Sequence, residues 1–550
     1  MTDEPATGWR RVAVVIAAPV LSILVGFALT FDGPVVWDDT ARIVHSRWLL
    51  GQFGMLDVDF SGGSTTPYYA PLWELILGVA NEFVFVGLRD PVWVRHALTL
   101  ALFLWGLWAL WVLLRRCGVD TSSASLGVAF VFGVIRFGGH AALNVKDAPA
   151  ATVFLLASVA TWLILQRCLE RSRTWSLVGL GVVAALPFLV RVPLLLHLAG
   201  VWALCLAIAV GTPNLGVKDR LRWALIPGLS GVAIIVALYP PFWTTDLAQW
   251  TEPFSRFGDH KIVVMTRVLG LAFPSNEVPW WYGLLWVPVI VHPVVLILSL
   301  VGALAPLKEP KPLCAPMELR LGGRCVKISL RTWLWLIVAA SWAAVMIRQP
   351  SLYDEERHIL FLFPPLVLVC ALGLNGLQDK AKFAIAAVVT VAALGSYAWW
   401  GRYAYVYKSP IIGERGSELF LGDYWGACIG EAVTVVPEFV PPKSPVKVDG
   451  PSLSAGLVEQ RYKWAALSAD PTFGPYAWLG HWVMYSPLAA ISFNRPYIGD
   501  DPGPEGALAR HQAEVDAGRA QMVWSTDMPT GEHACAIFVY PEGPPHARSR

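Results

Sequence analysis

The sequence predicts a polytopic α-helical membrane protein of about 11 transmembrane helices, followed by a small mixed α/β domain outside the cytoplasm. Three observations carry that prediction. Only 15% of the 550 residues are charged while 55% are hydrophobic, against about 25% charged in a soluble domain. Many apolar runs reach the roughly 20 residues needed to cross hydrocarbon. After residue 401 the composition turns rich in Pro and Gly and the long runs stop. Lys plus Arg at 42 against Asp plus Glu at 40 leaves a net charge of +2, which provides no basic field for nucleic acid. Eight cysteines in this length rule out a small disulfide scaffold.

The first run, Val12 to Phe31, is uncharged and follows Arg10 and Arg11, which keep its start in the cytoplasm. Its length sets it apart from a cleaved signal peptide. Further spans are predicted over 93–114, 122–143, 148–166, 174–190, 192–213, 223–243, 280–305, 332–347, 358–377 and 383–401. The apolar segment 71–88 contains Glu74, Asn81 and Glu82. If it does not span, Arg115, Arg116, Arg167, Arg171, Arg173, Lys218, Arg220, Arg222, the basic loop Lys308 to Arg331, and Lys380 with Lys382 all fall on the cytoplasmic side. That satisfies the positive-inside rule at every loop, so 71–88 is placed flat at the outer interface with its carboxylates wet. The chain then divides into a membrane module, 1–401, whose first outer loop, 32–92, carries interfacial helices, and an outer domain, 402–550. The expected location is the plasma (inner) membrane, with the N-terminus inside and the C-terminal domain outside. In that domain Gln521 to Trp524 and Ala534 to Tyr540 read as strands. Cys428 and Cys535 lie where a disulfide is permitted, and sequence leaves their pairing open; Cys314 and Cys325 lie inside and are expected reduced.

This topology gathers ionisable groups from five connections onto the outer face: 32–90, His140 to Asp147, Arg191, 244–279 and Arg348 to His358. Charges beside the apolar slab are expensive and mark function. Trp37-Asp38-Asp39-Thr40 follows the first span and opens a surface helix, Ala41 to Gln52. Two adjacent carboxylates repel each other, which raises the pKa of one toward that of a general base; they also suit a helix N-cap. Arg136-Phe-Gly-Gly-His140 and Asn144-Val-Lys146-Asp147-Ala-Pro149 form a second group. Asp147 as N-cap and Pro149 in the first turn have a structural reading. Arg136, His140 and Lys146 do not, and Arg136 with Lys146 suits either a phosphate or the orienting of Asp147. In Tyr353-Asp354-Glu355-Glu356-Arg357-His358 the acidic residues suit a helix start, while Arg357 and His358 call for an anion such as a phosphodiester. Arg191, His260, Lys261 and Arg267 read first as interfacial anchors. Asp38, Asp39, Asp147, His140 and His358 are eligible metal ligands, but their spacing matches no zinc pattern. No cofactor is assigned, and a divalent metal stays open.

In order and sidedness these motifs resemble the GT-C superfamily of integral-membrane glycosyltransferases, in particular the branch of protein O-mannosyltransferases and lipid A aminoarabinose transferases. The resemblance rests on Trp37-Asp38-Asp39, on Gly139, His140, Asn144, Lys146, Asp147 and Pro149, on Tyr353, Asp354, Arg357, His358 and Phe361, and on Asp423-Tyr424-Trp425-Gly426. It implies a sugar donor carried on polyprenyl phosphate, Asp38 as general base and Asp147 as a second catalytic polar residue. Asp39, His140, Lys146, Arg357 and His358 would serve the donor phosphate or the polar site, with Arg136, Arg191, Lys261 and Tyr353 as weaker candidates. The partners implied are the lipid-linked donor, an acceptor glycan, lipid or protein, and membrane lipids. The sequence departs from the family at Asp39, where Glu is common, and at Thr66-Pro67, where the aminoarabinose branch has a Lys before Pro. The repeat domain of protein mannosyltransferases has no counterpart here. A transporter or flippase of a lipid-linked sugar is the alternative, and it would place charges at mid-membrane and break helices in pairs. The topology has a direct check. In a Cys314→Ser, Cys325→Ser background, Lys311→Cys is expected to react with a membrane-impermeant maleimide only in inside-out vesicles, and Asp259→Cys only in right-side-out ones.

Overall fold

The structure, a computed structural model, describes residues 39–56, 69, 71–86, 91–171, 173–212, 215–258, 265–305, 315–321, 324–352 and 355–420. Beyond residue 420 it describes 427–428, 431, 435, 438–439, 446–449, 489–493, 512–529 and 533–539. The first predicted span therefore lies outside the described residues, as do Asp38, Tyr353, Asp354, Lys261 and 423–426.

The chain is mostly helical. Two short helices, α1 (Asp39–Gln52) and α2 (Pro71–Val79), come first, and α2 continues into a π-helical turn at Ala80–Val84. The bundle follows: α3 (Pro91–Arg116), α4 (Thr121–Phe132), α5 (Ile135–Leu143), α6 (Asp147–Glu170), α7 (Thr174–Val190), α8 (Leu195–Gly211) and α9 (Val217–Leu238). Next come α10 (Leu247–Gly258), the hairpin β1 (Met265–Val268) with β2 (Leu271–Pro274), α11 (Tyr282–Ile290) and α12 (Pro293–Leu304). The hairpin β3 (Met317–Leu321) with β4 (Arg324–Ile328) precedes α13 (Leu330–Arg348), a 3₁₀ helix at Arg357–Leu362, α14 (Phe363–Leu372) and α15 (Asp379–Trp400). Among the described residues six helices are long and apolar enough to cross a membrane, and four shorter apolar helices accompany them.

Several expectations change here. The predicted span 122–143 is two helices broken at Gly133-Val134, and 280–305 is two helices broken at Val291-His292. The breaks meet: Val134 and Val291 form an antiparallel bridge, and the amide of His292 donates to the Gly133 carbonyl at 3.1 Å. Each break thus satisfies the other's backbone, the condition for irregular chain at membrane depth. The span expected at 358–377 begins as 3₁₀ and ends at Leu372. The basic loop Lys308 to Arg331 contains the β3–β4 hairpin rather than irregular chain alone. Glu74, expected wet, is buried and ion-paired with Arg95, because α2 packs against α1 and α3 rather than lying on lipid alone. Two basic residues assigned to wet cytoplasmic loops are also buried. Arg331 donates to the Gly302 carbonyl at 2.7 Å, and Lys382 lies 3.4 Å from Asp120.

Ser122 bonds Asp379 at 2.7 Å at one end of the bundle, and Ser275 bonds Ser351 at 2.7 Å at the other. Beyond α15, a 3₁₀ turn at Gly401–Val406 folds back onto α5. Gly139 permits that approach, since a Cβ there would stand 2.2 Å from the Ala404 carbonyl carbon and the Tyr405 nitrogen. Further on, four strands form a mixed sheet ordered β5 (Val446–Asp449), β6 (Ala489–Phe493), β8 (His533–Val539), β7 (Gln521–Asp527). The two predicted outer strands are β7 and β8. Cys428 and Cys535 are disulfide-bonded, with Cα atoms 5.8 Å apart, closing a separation of 107 residues. Gly139→Ala is expected to lower stability by about 1–3 kcal/mol, because the obstacle is backbone and cannot swing away. Gly179→Ala, where a Cβ meets nothing within 4 Å, is expected to be neutral or slightly stabilising. Thermal unfolding of both variants in detergent checks the contrast.

Candidate active site

Separate segments of the chain meet at Arg136. It lies in the first turn of α5, just past the break, and is fully buried. Its guanidinium pairs with both Glu355 and Glu356, and its Nε donates to the Tyr407 carbonyl at 2.6 Å. An arginine so enclosed holds protein rather than substrate, so the phosphate role considered for Arg136 is withdrawn. Glu355 and Glu356 likewise act as counter-ions rather than as acidic caps of the next helix. Glu355 sits at φ +62°, a left-handed backbone that costs a non-glycine residue about 1 kcal/mol or more. Its carbonyl accepts the Tyr282 hydroxyl at 2.7 Å. Burial pushes the Glu355 carboxyl up to about 7 despite Arg136. Burial also acts on Glu356, but Arg136 and His140 overcome it and hold that carboxyl below its usual range. The pair therefore divides one cation unequally.

His140 is fully buried, with Nε2 3.4 Å from Glu356. Asp147 is the first residue of α6 rather than its cap, and just before the helix Asn144 Oδ1 accepts the backbone amides of Lys146 at 3.1 Å and Asp147 at 2.8 Å. That frees the Asp147 carboxylate, which is buried, accepts from Asn144 Nδ2 at 2.8 Å and pairs with Arg191. Arg191 is thus brought into the site rather than standing as an interfacial anchor. Pro149, the third residue of α6, lies in its first turn as expected. Arg357 is buried at the start of a 3₁₀ helix that packs on α6, where Phe361 meets Phe154 edge-on at 5.1 Å, and His358 is half-buried beside it.

A second cluster flanks Lys146. The Tyr69 ring carries the Arg42 guanidinium 3.5 Å from its centroid and the Lys146 ammonium at 5.8 Å. Arg42 lies in the first turn of α1, begun by Asp39, and is buried. Among the described residues no carboxylate pairs with it, and its Nε has no hydrogen-bond partner. His45, one turn on, meets Tyr69 edge-on at 6.4 Å. Burial first, then the positive charges of Arg42 and Arg95, hold its imidazole neutral, well below the usual range. Two cations, Arg42 and Lys146, thus share the Tyr69 ring. Sequence reasoning missed Arg42 and Tyr69, because α1 looks like an ordinary amphipathic surface helix until its packing buries Arg42. Arg267, in β1, is half-buried away from these contacts. Among the described residues no three His, Cys, Asp or Glu side chains are placed to hold a metal.

Two solved structures are similar in fold. ArnT from Cupriavidus metallidurans in the apo state has a TM-score of 0.47 and 13% identity, covering 97% of this chain and 98% of that one. The same protein bound to undecaprenyl phosphate has a TM-score of 0.46 at 13% identity, with the same coverage. No family model matches the chain, and no curated protein matches it. At that identity and TM-score the likeness carries no functional argument, so the function is argued from this chain's own residues.

The ion cluster makes a pH prediction. A carboxyl raised in the folded state contributes stability that is full below about 4.5 and is lost as pH rises through about 7. Glu356, being lowered, acts in the opposite sense and loses its contribution on acidification. Glu355→Gln is therefore expected to remove the decline in thermal midpoint between pH 4.5 and 7, which a pH series of unfolding scans would reveal.

Proposed function

We propose that this chain is an inverting glycosyltransferase that moves a sugar from a polyprenyl-phosphate donor to a hydroxyl acceptor at the extracytoplasmic membrane face. The observation that supports this best is the Arg42–Tyr69–Lys146 stack next to an acidic helix start. Anion stabilisation and proton acceptance are the two capabilities the reaction demands. An acceptor hydroxyl is a poor nucleophile until a carboxylate takes its proton. Asp38, which directly precedes α1 in the sequence, fits that role. The leaving polyprenyl phosphate is already an anion and needs cations rather than an acid. Lys146 and Arg42 supply them, held at fixed separation by one aromatic ring, with Arg357 as a third candidate. Asp147, oriented by Arg191 and Asn144, is the second polar residue of the site. One base facing one leaving group on opposite sides of the anomeric carbon inverts its configuration.

The paired helix breaks at Val134 and Val291 favour a second reading, a flippase of the same lipid-linked sugar. The two readings differ in the fate of one bond. Membranes given labelled polyprenyl-phosphate sugar are expected to release free polyprenyl phosphate in step with labelled product, whereas a flippase leaves the glycosidic bond intact. Asp38→Asn is expected to reduce that release by about 100-fold or more at equal expression. Arg42→Ala is expected to raise the KM for donor about 10-fold, the loss of one charge-assisted contact.

A further inference from the structure

The orientation of the Asn144 amide is fixed by its surroundings. Its Oδ1 receives two backbone N–H groups, from Lys146 at 3.1 Å and Asp147 at 2.8 Å, so that atom is the carbonyl oxygen. Nδ2 then faces His140 Nδ1 at 3.1 Å and Asp147 Oδ2 at 2.8 Å. An amide nitrogen has two hydrogens and no acceptor capacity, so one hydrogen goes to each. His140 Nδ1 must therefore be bare, and the ring proton sits on Nε2, where Glu356 Oε1 stands at 3.4 Å. Glu356 is held in turn by Arg136, whose Nε is tied to the Tyr407 carbonyl.

We infer that Asn144 and His140 are positioning residues: a run of polar contacts centred on the Asn144 amide, which donates to both neighbours, locks His140 as the neutral Nε2–H tautomer facing Glu356 and ties the placement of the Arg136 ion cluster to the Asp147 carboxylate. The run reads Arg136 to Glu356, His140 to Glu356, Asn144 to His140 and Asn144 to Asp147, with Arg191 closing the far side of Asp147. The groups bearing on the ring are Glu356 and Arg136, the nearby Arg357, and the Tyr405 ring edge-on at 6.0 Å. In this arrangement His140 neither accepts a substrate proton nor meets the donor phosphate; both of its nitrogens are engaged with protein. The consequence for Asp147 rests on the glycosyltransferase reading above, but the tautomer does not.

The two parts separate in one set of experiments. With ¹⁵N-histidine label in nanodiscs, and the His140 signals assigned by their loss in His140→Gln, His140 is expected to show a protonated Nε2 and a bare Nδ1 at every pH from 6 to 8. A protonated Nδ1 in the wild type, or a doubly protonated ring in that range, would overturn the proposal whatever the protein catalyses. Asn144→Asp keeps the acceptor oxygen for the two backbone amides but replaces the donor with an acceptor facing both His140 and Asp147. It is expected to move the proton onto Nδ1 or to charge the ring. It is also expected to lower kcat by about 100-fold, as a displaced catalytic group does, with the KM for donor unchanged. A normal kcat in Asn144→Asp with the tautomer changed would refute the positioning role while leaving the transfer reaction standing. Absence of any transfer by the wild type would refute the glycosyltransferase reading while the tautomer result stands on its own.

Discussion

One buried cation organises the polar cluster of this protein. Arg136 has no exposure, and removing a guanidinium from water costs several kcal/mol unless its donors are met. Here they are met by Glu355, Glu356 and the carbonyl of Tyr407, which lie 219, 220 and 271 residues away along the chain. A single side chain thus ties together the end of a broken helix, the turn after α13 and the segment that leaves α15. Two carboxylates against one arginine leave an excess of acid, and the neighbouring Lys408 also bears on it. The left-handed backbone at Glu355 is the conformational cost of pointing two consecutive glutamates at the same guanidinium.

Closed ion pairs stand apart from the polar groups at their margin. Arg136 with its glutamates and Arg95 with Glu74 are closed, buried pairs whose worth lies in geometry. Asp147 and the Arg42–Tyr69–Lys146 stack lie at the margin of those pairs, and each is held by a group that fixes orientation without cancelling function. Arg191 pairs with one oxygen of Asp147 while Asn144 takes the other. Tyr69 presents its ring face to both cations, a contact that attracts them without neutralising their charge.

The helical class and the long apolar helices were legible from hydropathy, because burial in lipid imposes length. Within the site, Asp147, His140 and Lys146 were picked out because polar groups in a short turn between apolar runs are conspicuous. Glu74 was misread since its partner, Arg95, sits 21 positions away on another helix, and local sequence cannot distinguish a wet carboxylate from a paired one. Arg136 was singled out correctly as unexplained but given an anion as partner, when the anion was Glu355 and Glu356 of the same chain. Arg42 carried no signal at all; it is a basic residue in a helix of mixed character, and only the packing of Tyr69 over it makes it a site residue.

The broken helices follow from the same constraint. A continuous helix over 122–143 would place Arg136 on whatever face the 3.6-residue period assigned. Breaking it at Gly133-Val134 re-aims α5, and the following glycine pair, with Gly139 pressed to 2.2 Å (as an alanine Cβ) from the 401–406 backbone, lets the chain beyond α15 close over Arg136. The freed backbone is then satisfied by the second break: His292 donates to Gly133, and the Tyr397 hydroxyl donates to the Phe132 carbonyl at 3.0 Å. Paired breaks are the mark of a substrate path when they line a cavity with unpaired charge. Here they bring together Val134 and Val291, both buried and apolar, and the nearby charge is already matched. The interruption is better explained as the means of delivering Arg136 to its two carboxylates, which leaves the chemistry to the outer margin where Asp147 and the cation stack lie.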